Sequence, residues 1–366
     1  MKISIARGEL LEALSVVSRG LSSRTTLPIL SGIHVATHGD SVVFQATDLE
    51  VSIRTSCKAR VEQPGQSVLP GKLLTDVTRS LPEAAVTIDT TVPGVASVTC
   101  GQSSFSMKTL SPDDYPKFPE VDASQTVVLP TETFSHVVHQ VARSVSRDET
   151  RPILTGILVV VESGLLRMVA TDSYRLCVRE VPLEGVTSDI ELVVPGKAME
   201  DVAKLIGSAE TVSLGVAENQ VIFSFGETTF ISRRIEGTFP NYRQLLPKEH
   251  ATRAVVDRTE LLEAVKRVSL MAQHNTPLRV KISVADHTLT LSAATQDIGD
   301  AVEDVQVTPE GEDVEIAFNH AYLLDGVSVA EGDAVAIEVT SPLKPGVLKP
   351  AQGDGFTYLL MPVRLG

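Results

Sequence analysis

Three groups of residues in this chain have the types, though not the full spacing, that chemistry requires. The stretch Gly65–Leu73, GQSVLPGKL, resembles a phosphate-cradling loop. Such a loop needs four residues between its glycines and a Ser or Thr after the lysine, so that backbone N–H groups meet phosphate and a hydroxyl meets magnesium. Here five residues intervene and Leu73 stands where the hydroxyl would be. His136 and His139 lie three apart in a helical pattern and offer two imidazoles to a metal. No HExxH and no nearby Cys or carboxylate pattern completes the ligand set, which predicts two solvated histidines. Asp48 and Asp172 sit in the same Ala-Thr-Asp context, and their recurrence predicts turn capping rather than a unique catalytic acid. Gly353 and Gly355 make a loop, not a dinucleotide fingerprint, and no Ser–His–acid set can be read from spacing. No catalytic residue, no metal site and no cofactor is expected.

The two aspartates belong to a larger pattern. TLPILSGI from Thr26 returns as TRPILTGI from Thr150, 124 residues on. Ala46–Asp48 returns at Ala170–Asp172 and, degenerate, at Ala294–Gln296, again in steps of 124. LPGKLLTDV from Leu69 returns as VPGKAMEDV from Val194, 125 on, and a diverged third copy begins near Asn275–Leu278. Copies this long are whole domains, since solenoid repeats run to about 20–50 residues. The expected domains are 1–122, 123–248 and 249–366, each large enough for its own core.

Within a copy the apolar period switches between 2 and 3.6. A first helix is predicted from Leu10, Leu11, Leu14 and Val17, from Phe134, Val137, Val138, Val141 and Val145, and from Leu261, Leu262, Val265 and Val268. A second helix follows Pro70–Gly71 with Leu73, Leu74 and Val77 inward. Its counterparts follow Pro195–Gly196 with Met199, Val202, Ala203 and Ile206, and span Asn319–Val327 with Tyr322, Leu323 and Val327. Hairpins with glycine turns at Gly101 and Gly226 end the first two copies. The unit reads as strand, helix, three strands, helix, three strands: α+β and mostly antiparallel. Proline-rich seams at Ser111–Val121 and Glu236–His250 join the copies.

Hydrophobic content is 43%, with no run of about 18 apolar residues to span a membrane. The N-terminus lacks the apolar run of a signal peptide. Cys57, Cys100 and Cys177 are too few and too scattered for a disulfide framework, so a reducing cytoplasm is expected. The net charge of −14 lowers the expectation of nucleic-acid binding without removing it. Screening over about 8 Å lets a basic face coexist with an acidic exterior. On residues alone, a repeat-built scaffold and a nucleotide-dependent enzyme using the Gly65–Lys72 loop remain alternatives.

PILSGI and PILTGI, the two ATD segments, PGK before a helix, TFPNYRQLLP and the terminal YLLMPVRL occur here in one order over essentially the whole chain. In this the chain resembles the bacterial DNA polymerase III β subunits, the sliding clamps. The resemblance implies three clamp domains per subunit and a head-to-tail homodimer closed as a ring around double-stranded DNA. It implies an accessory role rather than an enzyme, since synthesis belongs to another subunit. Implied lining residues are Arg24, Lys72, Arg79, Arg147, Arg151, Lys197 and Lys204, with Arg19, Arg143, Lys266 and Arg267 as further candidates. Implied partners are the polymerase III catalytic subunit, the clamp loader, other polymerases and repair proteins, and no membrane. They would dock Gln-x-Leu-x-Phe-like peptides in a pocket of Leu154, Thr171, Ser173, Tyr174, Arg175, Leu176, Pro240, Gln244, Leu245, Leu359, Met361, Pro362, Val363 and Arg364. Ser173–Tyr174 replaces a Gly–His pair common in the family, Gln244 stands where Arg is frequent, and Gly366 follows the usual last leucine, Leu365. The implied subunit contact is Phe105 and Met107 against Leu270 and Met271.

Overall fold

The computed structural model describes residues 1–22, 27–185, 188–272 and 276–364. Among these, six α-helices come in pairs, one pair per repeat: α1 (Arg7–Val17) and α2 (Gly71–Ser80), α3 (Thr131–Val141) and α4 (Gly196–Leu205), α5 (Arg258–Ser269) and α6 (His320–Val329). Five of them start on the residue after a strand ends, so the extended strand residue is also the N-cap. Asp257 accepts the Glu260 N–H at 2.8 Å, and Asn319, one residue beyond its strand, accepts the Ala321 N–H at 2.9 Å.

The helical stripes match the sequence reading with instructive departures. α1 buries Leu10, Ala13, Leu14 and Val17, and α5 buries Leu261, Ala264, Val265 and Val268, the same four places. On α2 Leu74 and Val77 are buried but Leu73 is exposed. Thr75 and Thr78 take the inner face instead, because their hydroxyls bond the Gly71 and Leu74 carbonyls (2.9 and 2.8 Å) and so need no water. Val145 and Ile206 lie past the ends of their helices. Each copy has at least four strands between its helices, not three. The apolar runs just before Pro70–Gly71 and Pro195–Gly196 are strands in their own right, Gln66–Pro70 and Ile190–Pro195, paired with Gly32–His38 and Gly156–Glu162. The former removes any phosphate loop at Gly65–Lys72, whose backbone is committed to a strand and then to the start of α2.

By backbone proximity the chain forms two compact units, Met1–Phe134 with Asp201–Arg234, and Ser135–Glu200 with Ile235–Gly366. The first holds two antiparallel sheets. One orders Arg60–Gln63, Lys2–Ala6, Ala85–Asp89, Val95–Cys100, Ser103–Lys108. The other orders Gln125–Pro130, Thr211–Val216, Gln220–Phe225, Thr228–Arg233, Val51–Lys58, Ser41–Thr47, Gly32–His38, Gln66–Pro70. The second unit orders Ile190–Pro195, Gly156–Glu162, Leu165–Thr171, Arg175–Pro182, Phe356–Leu360, Gly346–Pro350, Ala334–Val339, Thr252–Asp257, Gly299–Gly311, Thr288–Thr295, Leu278–Ser283, Val314–Phe318. The division cuts the middle repeat because its strands are shared. Phe230 pairs with Ile53 of the first repeat, and Cys177 pairs with Tyr358 of the third.

The repeat is kept in the backbone as well as in the letters. Leu49, Ser173 and Asp297 have left-handed φ of 78°, 80° and 65°, spaced by 124. Gly39, Ser163 and His287, at 57°, 52° and 54°, mark a second turn on the same spacing. These five are all the described non-glycine residues with positive φ, a conformation side chains other than Gly, Asn and Asp seldom adopt.

Candidate functional site

The turn after Thr171 organises the second unit. Asp172 Oδ1 accepts the N–H groups of Tyr174 (2.9 Å) and Arg175 (3.0 Å), as Asp48 does from Glu50 (3.0 Å) and Val51 (2.7 Å). Both aspartates therefore cap turns. In the second copy Asp172 Oδ2 also takes Arg175 Nε at 3.0 Å. The Arg175 side chain is nine-tenths buried and lays its guanidinium 4.3 Å from the Tyr322 ring centroid. Nη1 donates to Asp325 Oδ2 (2.6 Å) and to the Tyr358 hydroxyl (3.3 Å). Burial works against that charge, but Tyr358, Asp325 and Asp172 more than offset it and hold the group above arginine's ordinary range. Burial likewise raises the Tyr358 phenol, which donates to the Tyr322 carbonyl at 3.0 Å. Gly326 permits this: a Cβ there would meet the Tyr358 ring at 2.5 Å. Sequence reasoning missed Tyr322, Asp325 and Tyr358 as site residues. Only the duplicated ATD turn and the terminal YLLMPVRL pointed near them.

Around this network the implied pocket residues fall into a wall and a rim. Leu176 and Leu359 face each other across the strand pair and belong to a buried cluster with Leu158, Val169 and Tyr242. Ile153 and Phe239, not among the expected residues, pack against it. Leu154 and Thr171 are buried, and Thr171 Oγ1 donates to the Arg175 carbonyl at 2.7 Å. The rim is exposed: Tyr174 at 60%, Leu245 at 49% and Met361 at 41%, with Ser173, Pro240, Gln244 and Arg364. Tyr174 stacks on Tyr322 with centroids 6.5 Å apart, and its carbonyl accepts the Met361 N–H at 2.8 Å. Pro362 and Val363 are half-buried, the latter bonded to the Ala317 carbonyl.

The expected lining cations are exposed but mostly answered. Arg24 lies outside the described residues. Lys72, Arg147, Lys197 and Lys204 are exposed. Arg79 pairs with Asp76 (3.1 Å), and Arg151 with Asp148 (2.9 Å) and the Ser173 hydroxyl (2.9 Å). Arg19, Arg143, Lys266 and Arg267 pair with Asp201, Asp325, Glu263 and Glu303. In the second unit Arg143, Arg147, Arg175 and Lys197 surround a cavity of about 620 Å³ together with Glu149, Glu200 and Asp325. His136 is not merely solvated: it bonds the Glu331 carboxylate, which also takes Arg179 at 2.9 Å. Among the described residues no three His, Cys, Asp or Glu cluster as a metal would require, and no helix is long and apolar enough to cross a membrane.

The expected subunit contact needs one correction. Phe105 is 37% exposed on the edge strand Ser103–Lys108, but Met107, two residues on and on the same face, is 5% exposed, because that end of the strand runs up against Gln66–Pro70, where Val68 bridges to Leu110. In the second unit Leu270 is 70% exposed and Met271 half-buried; Ile298 and Val302, distant in sequence and not anticipated, are exposed as well. The Met271 carbonyl accepts Thr295 Oγ1 at 2.5 Å, and Thr295 pairs with Gly299. The strand Gly299–Gly311 pairs with Thr288–Thr295 along its first half and with Thr252–Val256 only from Val307 onward. Residues 299–306 thus keep one edge that no described strand covers.

Comparison with known proteins accounts for this arrangement. Family models described as the N-terminal, central and C-terminal domains of the DNA polymerase III beta subunit match residues 1–119, 128–241 and 243–364. The beta sliding clamp of Streptomyces coelicolor is 37% identical, with both chains covered completely. That of Staphylococcus aureus is 33% identical over all of this chain and 99% of its own. The DNA polymerase sliding clamp of Bacillus subtilis superposes with TM-score 0.95 at 30% identity, and a Pseudomonas aeruginosa clamp bound to griselimycin with 0.94 at 28%, each covering both chains completely. This chain belongs to the DNA polymerase III beta subunit family, the bacterial sliding clamps.

Proposed function

We infer that the chain is the sliding clamp of a bacterial replicative DNA polymerase III: a processivity factor that performs no catalytic step itself, closes as a homodimeric ring around duplex DNA, and tethers its partners. Whole-chain membership in the clamp family carries this reading. Encirclement explains how a protein of net charge −14 serves DNA. Non-specific binding is typically about 10⁻⁴ to 10⁻⁶ M and salt-sensitive, so topology rather than affinity must retain the ring. Cations already shared with carboxylates, as at Arg79–Asp76 and Arg143–Asp325, suit a lining that must not grip.

Three domains per chain, bounded near 122 and 248, give six similar modules in a dimer. The internal repeat supplies the subunit register. Phe230 pairs with Ile53 and Tyr358 with Cys177 inside the chain. One step on from Cys177 is Ala301, and one step back from Phe230 is Phe105. Phe105 would therefore face Ala301 of the partner subunit, closing both uncovered strand edges. Leu154, Thr171, Ser173–Leu176, Pro240, Gln244, Leu245, Leu359 and Met361–Arg364 would receive linear peptides from polymerases, the clamp loader and repair proteins; griselimycin bound to the Pseudomonas clamp supports ligand docking in this family. Arg24, Lys72, Arg79, Arg147, Arg151, Lys197 and Lys204 would touch the DNA backbone, in the cytoplasm. The test is retention on closed circular DNA after loading and release when that DNA is linearised. Equal loss from both forms would reject topological linkage.

A further inference from the structure

We propose that Asp325 is a positioning residue coupling the peptide-binding face to the basic cavity, so that a phosphodiester backbone in the cavity and a peptide on that face raise each other's affinity. The proposal rests on the reading that both ligands bind this chain. Its basis is that one carboxylate serves two guanidinium groups with different duties. Asp325 Oδ1 accepts from the exposed Arg143 at 3.1 Å, and Oδ2 accepts from the buried Arg175 at 2.6 Å. Arg175 holds Asp172, whose other oxygen fixes the Tyr174 N–H, and the Tyr174 carbonyl holds the Met361 N–H. A continuous run of polar contacts thus leads from the cavity to the rim.

The internal repeat separates the general part of this device from the special part. Arg19 and Asp201 stand 124 residues before Arg143 and Asp325, and they too form an ion pair, at 3.7 Å. A pair between the turn after one copy's first helix and the second helix of the next copy therefore recurs at both junctions. The place of Arg175 is held in the first copy by Val51, whose side chain has no donor with which to link the pair to the turn. Only the second copy links the pair to the exposed tyrosine and methionine.

The direction follows from charge. A phosphate taking hydrogen bonds from Arg143 removes one cation from Asp325 and leaves Arg175 as its remaining guanidinium. The Asp325–Arg175 pair tightens, and the turn that presents Tyr174 is held in one arrangement before the peptide arrives. Coupling of this kind is reciprocal, and its expected size is about fivefold, the lower end of what linked sites show.

The test uses the full-length chain and a fluorescent peptide containing Gln-x-Leu-x-Phe. Its affinity is read by anisotropy with and without a saturating short linear duplex at fixed low salt. The native chain should bind about fivefold tighter with duplex, whereas Asp325→Asn should bind equally in both conditions. Arg143→Gln should lose the difference as well, and decides the matter if Asp325→Asn does not fold. A structural role alone would weaken binding in both conditions and leave the ratio unchanged. A native ratio of one with both ligands bound overturns the coupling but not the clamp reading. A ratio preserved in both variants overturns the role of Asp325, and failure of the native chain to bind peptide or duplex overturns both proposals.

Discussion

Tyr115 donates its phenol to the Gly32 carbonyl, 3.1 Å away and 83 positions back in the chain. That bond fastens the first proline-rich seam to the start of a strand in the repeat it has just left. Tyr242 occupies the second seam and is buried too. Each seam is thus pinned by a tyrosine, which is why it works as a fixed spacer and not a loose tether.

Tyr115→Phe should lower unfolding stability by about 1 kcal/mol, the usual net worth of one hydrogen bond, as read by chemical denaturation. Burial pushes this phenol up from 10.0 to about 12. The unfolded chain therefore loses the proton first. The contribution is complete below pH 10 and is lost as the pH rises through 12. Stability should fall less steeply across that window in Tyr115→Phe, and an identical alkaline limb would refute the assignment.

Cys57 is half-buried, and burial first, then Glu9 and Glu12, push its thiol up to about 11. Only the thiolate alkylates. Iodoacetamide should label it slowly at pH 7.5 and about tenfold faster per pH unit until near 11. Rapid labelling at neutral pH would contradict this.

For the peptide face, Met361→Ala is the clean probe, since Met361 lies on the rim. It should weaken peptide binding severalfold and leave the melting temperature nearly unchanged. Leu176→Ala should weaken binding more strongly but is buried, and truncation there should remove about 2–5 kcal/mol of stability. Unchanged affinity in Met361→Ala would put the site elsewhere.

Val302→Asp sets a charge on an uncovered strand edge where Val302 is 65% exposed. It should shift sedimentation toward monomer, as should Leu270→Ala combined with Met271→Ala. Phe105→Ala should act in the same sense. A dimer undisturbed by all three would exclude the proposed register.

Much of this was legible because duplication writes the same instruction twice. The Ala-Thr-Asp turns, the Pro-Gly helix starts and the Gly101 and Gly226 hairpins (φ 57° and 49°) all have local causes that short sequences carry. What stayed hidden was decided by partners distant in sequence. Leu73 and Met107 exchange the expected in and out because neighbouring threonines satisfy themselves and because the strand Gln66–Pro70 covers the end of Ser103–Lys108. The strands ending at Pro70 and Pro195 are too short and apolar to tell from helix entries. Asp325 shows no sign of its role until folding brings Arg175, 150 positions away, within 2.6 Å.

The left-handed turns at Leu49, Ser173 and Asp297 share no common residue type, and none is a glycine. A conformation that survives while its side chains diverge is imposed by the surrounding sheet and not chosen by the residue itself. Ancestry in this chain is therefore recorded more faithfully in torsion angles than in amino acids, and Leu49→Gly would relieve a tension the neighbouring strands now absorb.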